Sequence, residues 1–420
     1  MTPGAAPSWF GQPRGLTVLF LTNMWEQFSY YGMRALLVYY MTKQLQMSQG
    51  QASLIYGAYT ACAYFTPILG GVIADRVLGK RTAILLGGSI MALGHFMMAF
   101  EPLFYPALVT IALGNGLFLP SLPSQIDDLY EPGDPRVGWA YNVYYVGVNI
   151  GGFLAPLLCG TLGELYGWHY GFGAAGIGMV AGLGIYIWGQ RYPPAQRPKA
   201  TAEIVPQARG RFTRDVALLL IAVALSVTVF RAAYEQAGNT VALWADTGVD
   251  RHAGTVTIPM TWFQSLNPLF VMAMTPPLLM LWRRRAERGG IERPVRRMAV
   301  GALLVAGAFL LLAVIAAMGG TAHWIWLALF FALLTFGELH ILPTGLSLFA
   351  RLAPAGLGAT TVAAWFLATF AGSLAAGLVG TAWSKLGHGT FFLLLAGIAA
   401  IAAALLATID PASRRVISKA

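Results

Sequence analysis

The chain has 420 residues, 57% of them hydrophobic and only 10% charged, and a formal net charge of +10. Soluble domains carry about 25% charged residues, so this composition excludes an ordinary water-soluble fold and makes the lipid bilayer the solvent to consider. Cys62 and Cys159 both fall inside apolar stretches, which implies neither a disulfide framework nor a thiolate metal site.

Apolar runs long enough to cross a hydrocarbon core of ~30 Å recur along the whole length. Twelve are expected, over 15–42, 52–75, 82–100, 103–125, 138–163, 170–190, 215–246, 254–282, 297–318, 323–350, 358–384 and 389–409. No short apolar region with a cleavage site opens the chain, so the first helix itself is expected to direct insertion. Placing the termini and the even-numbered loops on one side collects nearly all exposed arginine and lysine there, and by the positive-inside rule that side is cytoplasmic. The same distribution accounts for the net charge through topology and anionic lipid, without nucleic acid.

The first predicted helix carries Asn23-Met-Trp-Glu26-Gln27-Phe-Ser-Tyr30-Tyr31-Gly32-Met-Arg34. This string resembles the ExxERFSYYGMR motif that opens proton-dependent oligopeptide transporters, a family of the major facilitator superfamily. In that motif the acidic and basic positions link proton movement to substrate binding. Here Glu26 keeps its charge, whereas Asn23 and Gln27 stand where the family has Glu and Arg.

Between the second and third helices, Gly71-Val-Ile-Ala-Asp75-Arg76-Val-Leu-Gly79-Lys80-Arg81 looks like the signature loop of the superfamily, in which an acid and several bases break and remake contacts as the halves rock. The fourth helix has Gly114-Asn115-Gly116-Leu-Phe118-Leu119-Pro120-Ser121, similar to GNGxFKPN with Leu119 in place of a cavity lysine. The fifth has Tyr144-Tyr145-Val-Gly-Val-Asn149-Ile-Gly151-Gly152, which resembles FYxxINxGS and places Asn149 at the substrate's amino end. Glycines four apart, as at 147/151 and 178/182, predict close helix packing.

Residues 191–214 interrupt the hydrophobic pattern with four prolines and six basic side chains and read as a cytoplasmic linker. The chain is thereby divided into an N-terminal six-helix bundle, 1–190, and a C-terminal one, 215–420. A linker of this length leaves no room for the two extra helices of many bacterial relatives. Further family strings follow in Glu235-Gln236-Ala-Gly238-Asn239, Gln264-Ser-Leu-Asn267-Pro268 and Gly337-Glu338-Leu-His340-Ile-Leu342-Pro343, on the seventh, eighth and tenth helices.

Charge placement reaches several of these positions independently. An ionised side chain near the bilayer centre costs at least ~2.5–3.5 kcal/mol, so it faces a cavity or another charge. Glu26, Arg34, Arg231, Glu235 and Glu338 are the deep charges of this topology. The seventh helix begins near Arg214, so at 1.5 Å per residue Arg231 lies about 25 Å along it, beyond reach of the cytoplasmic face. Where the resemblance implies two glutamates and an arginine in helix 1 and a lysine in helix 4, this chain has given up one cation from each helix and gained Arg231 on helix 7, one turn before Glu235.

The reading is an all-α membrane protein with the major facilitator fold, working as a secondary transporter of small peptides or peptide-like amines. The resemblance implies Asn149, Asn267 and Glu338 for the ammonium end and Arg34 for the acidic end, joined by Arg231. It also places Tyr30, Tyr31, Tyr64 and Trp365 in the pocket wall. Glu26 and Glu235 are the expected proton-linked groups, with Asp75 and Arg76 in gating. The neutral positions 23, 27 and 119 imply weakened proton coupling, and leave open a facilitator or exporter of a modified peptide or another metabolite. A membrane sensor that binds without transporting is a further alternative. The six histidines show no metal-ligand spacing, and no phosphate-binding loop, HExxH or GxGxxG following a strand is present, so neither metal, cofactor nor enzymatic activity is expected. The partners expected are the substrate, protons and the lipid bilayer, in a bacterial inner membrane with both termini cytoplasmic.

Overall fold

The computed structural model describes residues 11–131, 134–192, 213–289, 293–354 and 357–418. Most of the expected linker, 193–212, lies outside these residues. The described chain is almost entirely helical. Its long helices are α1 (Arg14–Tyr39), α2 (Gln49–Ile73), α3 (Lys80–Met97), α4 (Phe104–Ser121), α5 (Val137–Ala155) and α6 (Trp168–Gly189), followed by α7 (Arg214–Tyr234), α8 (Leu266–Glu287), α9 (Pro294–Ala317), α10 (Trp324–Arg351), α11 (Gly358–Gly380) and α12 (His388–Ile417). Ten helical stretches among the described residues are long and apolar enough to cross a membrane. The other two, α1 and α3, are long but more polar, and α1 is the helix that carries Asn23, Glu26 and Gln27.

Local chemistry explains where the helices break. Gly79 and Gly167 adopt φ values of 75° and 122°, which side-chain-bearing residues rarely tolerate, and each ends one helical run immediately before the next. After α5 the chain widens into a single π turn at Pro156–Gly160 before a short helix, Thr161–Tyr166. After α7 it tightens into a 3-10 turn, Glu235–Gly238, before Thr240–Thr247. Two-residue strands pair near the ends of these elements, Val249–Asp250 parallel with Ala322–His323 and His252–Ala253 antiparallel with Val256–Thr257.

The described chain forms two compact units, one of residues 11–40 and 65–192 and the other of residues 41–64 and 213–418. Within the first, glycines let helices approach to backbone contact. A β-carbon at Gly87 would lie 2.7 Å from the Gly114 carbonyl, and one at Gly151 would collide with the Met24 carbonyl of α1. Gly178 and Gly182 face Phe28 and Trp25 in the same way, so the spaced glycines read from the sequence do seat α1 between α5 and α6. The second unit is built around a large apolar core supplied chiefly by α7, α9, α10 and α12.

The first part of α2 is a member of the second unit, held by a polar seam. Gln49 Nε2 donates to the Gly380 carbonyl at 2.9 Å and to Ser53 Oγ at 2.7 Å, and Ser53 Oγ donates to Asn239 Oδ1 at 3.0 Å. Gln236 Nε2 in turn donates to the Ala376 carbonyl at 2.7 Å, and Lys43 pairs with Asp246 at 2.6 Å. The seam is tight because Gly57 meets Gly377: a β-carbon on Gly57 would sit 2.5 Å from the Gly377 Cα and 2.8 Å from the Ser373 carbonyl. Only backbone lies there, so no side chain can move aside. Overpacking of this kind costs about 1–3 kcal/mol. Gly57→Leu should therefore lower the unfolding temperature measurably in detergent, whereas Gly184→Leu, where nothing lies within 4 Å, should leave it within error. Equal shifts in the two variants would contradict the packing described.

Candidate functional site

In the first unit the polar residues of α1 turn toward α5. Asn23 Nδ2 donates to the Tyr144 carbonyl at 3.3 Å, and Gln27 Nε2 donates to Glu26 Oε2 at 2.6 Å. Glu26 is buried, and an amide occupies the position beside it where the sequence resemblance implies a guanidinium. Asn149 is also buried and donates to the carbonyl of Tyr145, one turn earlier on its own helix, at 2.9 Å. Tyr30 and Tyr31 meet edge to face with ring centres 5.3 Å apart, and with Arg34 they are half-buried.

At the other end of this unit, the signature loop is part of a larger set of polar contacts. Asp75 and Arg76 lie in a π turn, Ala74–Leu78, at the end of α2. Lys80 Nζ donates to Asp128 Oδ2 at 2.8 Å and to the Ser124 carbonyl at 2.7 Å, and Arg81 Nη2 donates to the Gln190 carbonyl at 2.8 Å. Gln125 and Tyr186 exchange hydrogen bonds beside them. The spacing of the loop identified Asp75, Arg76, Lys80 and Arg81; Asp128, Gln125 and Tyr186 carry no recognisable spacing and emerge only from the fold.

The second unit gathers five of the expected residues. Arg231 and Glu235 form an i,i+4 ion pair whose side chains are 3% and 1% exposed. The guanidinium of Arg231 lies 4.9 Å from the ring centre of Tyr64 on α2 and 5.3 Å from that of Tyr234, so two aromatic faces flank it. Gly372 on α11 makes room, since a β-carbon there would collide with that of Arg231. Tyr234 also hydrogen-bonds to Glu338. Asn267 Nδ2 donates to Glu338 Oε2 at 2.6 Å and to Thr335 Oγ1 at 3.0 Å.

Tyr64, Arg231, Glu235, Asn267 and Glu338 thus form one hydrogen-bonded and ion-paired group built from α2, α7, α8 and α10. Tyr234, Thr335 and Gly372 belong to it and were missed. The first two are common polar residues in helices, where only a partner's position reveals a role. Trp365 packs instead in the apolar core, edge to face with Phe349 at 5.4 Å and against Gly345. His340 points away from Glu338, as the 200-degree turn between them requires. Its ring nitrogen meets the Phe336 carbonyl at 2.7 Å and its ring lies against Trp282.

Comparison with known proteins gives this geometry a context. The POT family matches residues 81–213 and 213–394. The uncharacterized transporter YclF of Bacillus subtilis (strain 168) is 32% identical, with 97% of this chain and 95% of that protein covered. The peptide transporter YePEPT of Yersinia enterocolitica subsp. palearctica is 31% identical over 90% of this chain and 89% of its own. A crystal structure of a mutant of the peptide transporter POT in complex with alafosfalin is 30% identical, with a TM-score of 0.86 over 96% of each chain. Similarity over nearly the whole length is what the twelve-helix major facilitator fold read from the sequence requires.

The buried Arg231–Glu235 pair makes a thermodynamic prediction of its own. Removing one partner of a buried ion pair costs about 3–5 kcal/mol, because the other charge is left uncompensated, whereas replacing both by apolar groups is far milder. Glu235→Leu and Arg231→Leu should each lower the unfolding temperature strongly, and the double variant should recover much of the loss. Additive losses in the double variant would mean that the two charges are not coupled.

Proposed function

We propose that this chain, which belongs to the POT family of membrane transporters, carries small peptides or peptide-like amines across the membrane by alternating access. Members of the family are transporters and not enzymes. The division into bundles at 1–190 and 215–420 and the inner-membrane location are parts of this reading, as are the cytoplasmic termini, which the distribution of arginine along the sequence supports. So are gating by Asp75 and Arg76 and a substrate contact at Tyr30, Tyr31 and Tyr64, whereas Trp365 belongs to the apolar core.

The observation that carries the proposal is the carboxylate of Glu338, held by Asn267 and Tyr234 beside the Arg231–Glu235 pair. A carboxylate fixed by neutral donors suits a substrate ammonium, with Asn149 as a second polar contact. Arg34 takes the substrate's acidic end. Arg231 joins it when Glu235 releases the guanidinium, which makes the i,i+4 pair a switch: Glu235 holds Arg231, and a substrate carboxylate competes for it. Proton coupling is weakened in this scheme, because Gln27 and Leu119 cannot exchange ionic partners with the remaining acids, and Asn23 cannot titrate. The contact of Gln27 with Glu26 also supports a second reading, a facilitator or exporter of a modified peptide or other metabolite.

Binding to the purified protein tests the assignment. Hydrogen bonds to a charged group contribute about 1.5–3 kcal/mol, so Glu338→Gln should weaken a free dipeptide by about 10- to 100-fold and its N-acetylated counterpart hardly at all. Equal losses for both ligands would remove Glu338 from the ammonium site.

A further inference from the structure

We infer that the arginines at the end of α8 and the start of α9 form a docking surface for anionic phospholipid headgroups. Residues 283–297 contain seven arginines, no lysine and two glutamates. Arg283, Arg284, Arg285, Arg288 and Arg296 are exposed. Glu287 engages Arg283 at 2.9 Å on the exposed face, and the first turn of α9 contains no acid. The patch therefore keeps a large positive excess at the surface.

Its position relative to the apolar surface identifies the partner. Immediately before the arginines, Leu279, Met280 and Leu281 are 51%, 55% and 60% exposed on a helix long and apolar enough to cross the membrane. One turn of helix, about 5.4 Å, thus takes the surface from acyl-chain chemistry to guanidinium chemistry. Trp282 sits at that boundary, where indoles gather at the headgroup level. The Arg297 guanidinium lies over its ring at 4.1 Å, and the ring meets His340 edge to face at 5.4 Å. The boundary residue is thereby fixed against α9 and α10.

An apolar face continuous with a row of arginines complements a molecule that is itself apolar at one end and anionic at the other. Guanidinium forks match phosphate oxygens two at a time, which a lysine cannot do. Topology alone requires only positive charge, of either kind. The surface belongs to the second unit and depends neither on the substrate nor on the direction of transport.

Native mass spectrometry of the whole protein, released from nanodiscs of equal phosphatidylglycerol and phosphatidylcholine, tests the inference. The wild type should retain phosphatidylglycerol several-fold over phosphatidylcholine. Arg284→Gln/Arg285→Gln/Arg288→Gln should abolish the preference, whereas Arg14→Gln/Arg136→Gln/Arg191→Gln, with the same loss of charge from the first unit, should preserve it. Should the first variant fail to insert, phenylglyoxal modification of the wild type replaces it. Arg284, Arg285 and Arg288 should then react several-fold more slowly in phosphatidylglycerol than in phosphatidylcholine vesicles. Equal retention of the two lipids by the wild type, equal effects of the two triple variants, equal phenylglyoxal rates in the two vesicles, or displacement of the lipid by millimolar glycerol phosphate would each overturn the inference.

Discussion

Arg231 is too deep on α7 to reach water, and the second unit is arranged around that fact. Its guanidinium pairs with Glu235 one turn later and lies against the rings of Tyr64 and Tyr234, and its β-carbon fits only because residue 372 is glycine. A buried arginine is costly unless it is paired. One charged residue therefore constrains α2, α7 and α11 together, and through Tyr234 it reaches Glu338, Asn267 and Thr335 on α10 and α8.

The first part of α2 contributes a second constraint. Tyr64 stands at one end of the segment that joins the second unit, and the seam through Gln49, Ser53 and Asn239, closed by the Gly57–Gly377 contact, runs along the rest of it. The seam is polar and its hydrogen bonds are ordinary in length, so each can be exchanged for another partner at modest cost. The ion pair beside it cannot be, since neither charge can be left alone. The segment thus joins its unit through individually replaceable hydrogen bonds, with Tyr64 at its end placed against a charge pair that must stay together.

Much of this was legible in the sequence because the bilayer restricts what a chain can do. Long apolar runs can only be helices, spaced glycines mark close approaches, and a charge in such a run demands a partner. Those rules gave the helices, the packing of α1 against α5 and α6, and the deep charges. The resemblance added Asn149, Asn267 and the signature loop. Sequence could not show that Arg231 is enclosed by Tyr64, because the two are far apart along the chain and either could have faced elsewhere. Nor could it show Trp365 packed on Phe349, since an aromatic residue in a helix has the same pattern in a pocket wall as in a core. Asp128 and Gln125 were invisible for a related reason: their partners, Lys80 and Tyr186, come from other helices.

Set against the motifs they resemble, the neutral Asn23, Gln27 and Leu119 and the cation Arg231 underlie the proposed function. Under that proposal peptide exchange and proton drive are separable. Transport of a labelled dipeptide in proteoliposomes measures both. The account predicts counterflow into vesicles preloaded with unlabelled dipeptide at equal pH on the two sides, with little further accumulation when an inward pH gradient is imposed on empty vesicles. Strong uphill accumulation driven by that gradient and abolished by a protonophore would contradict it.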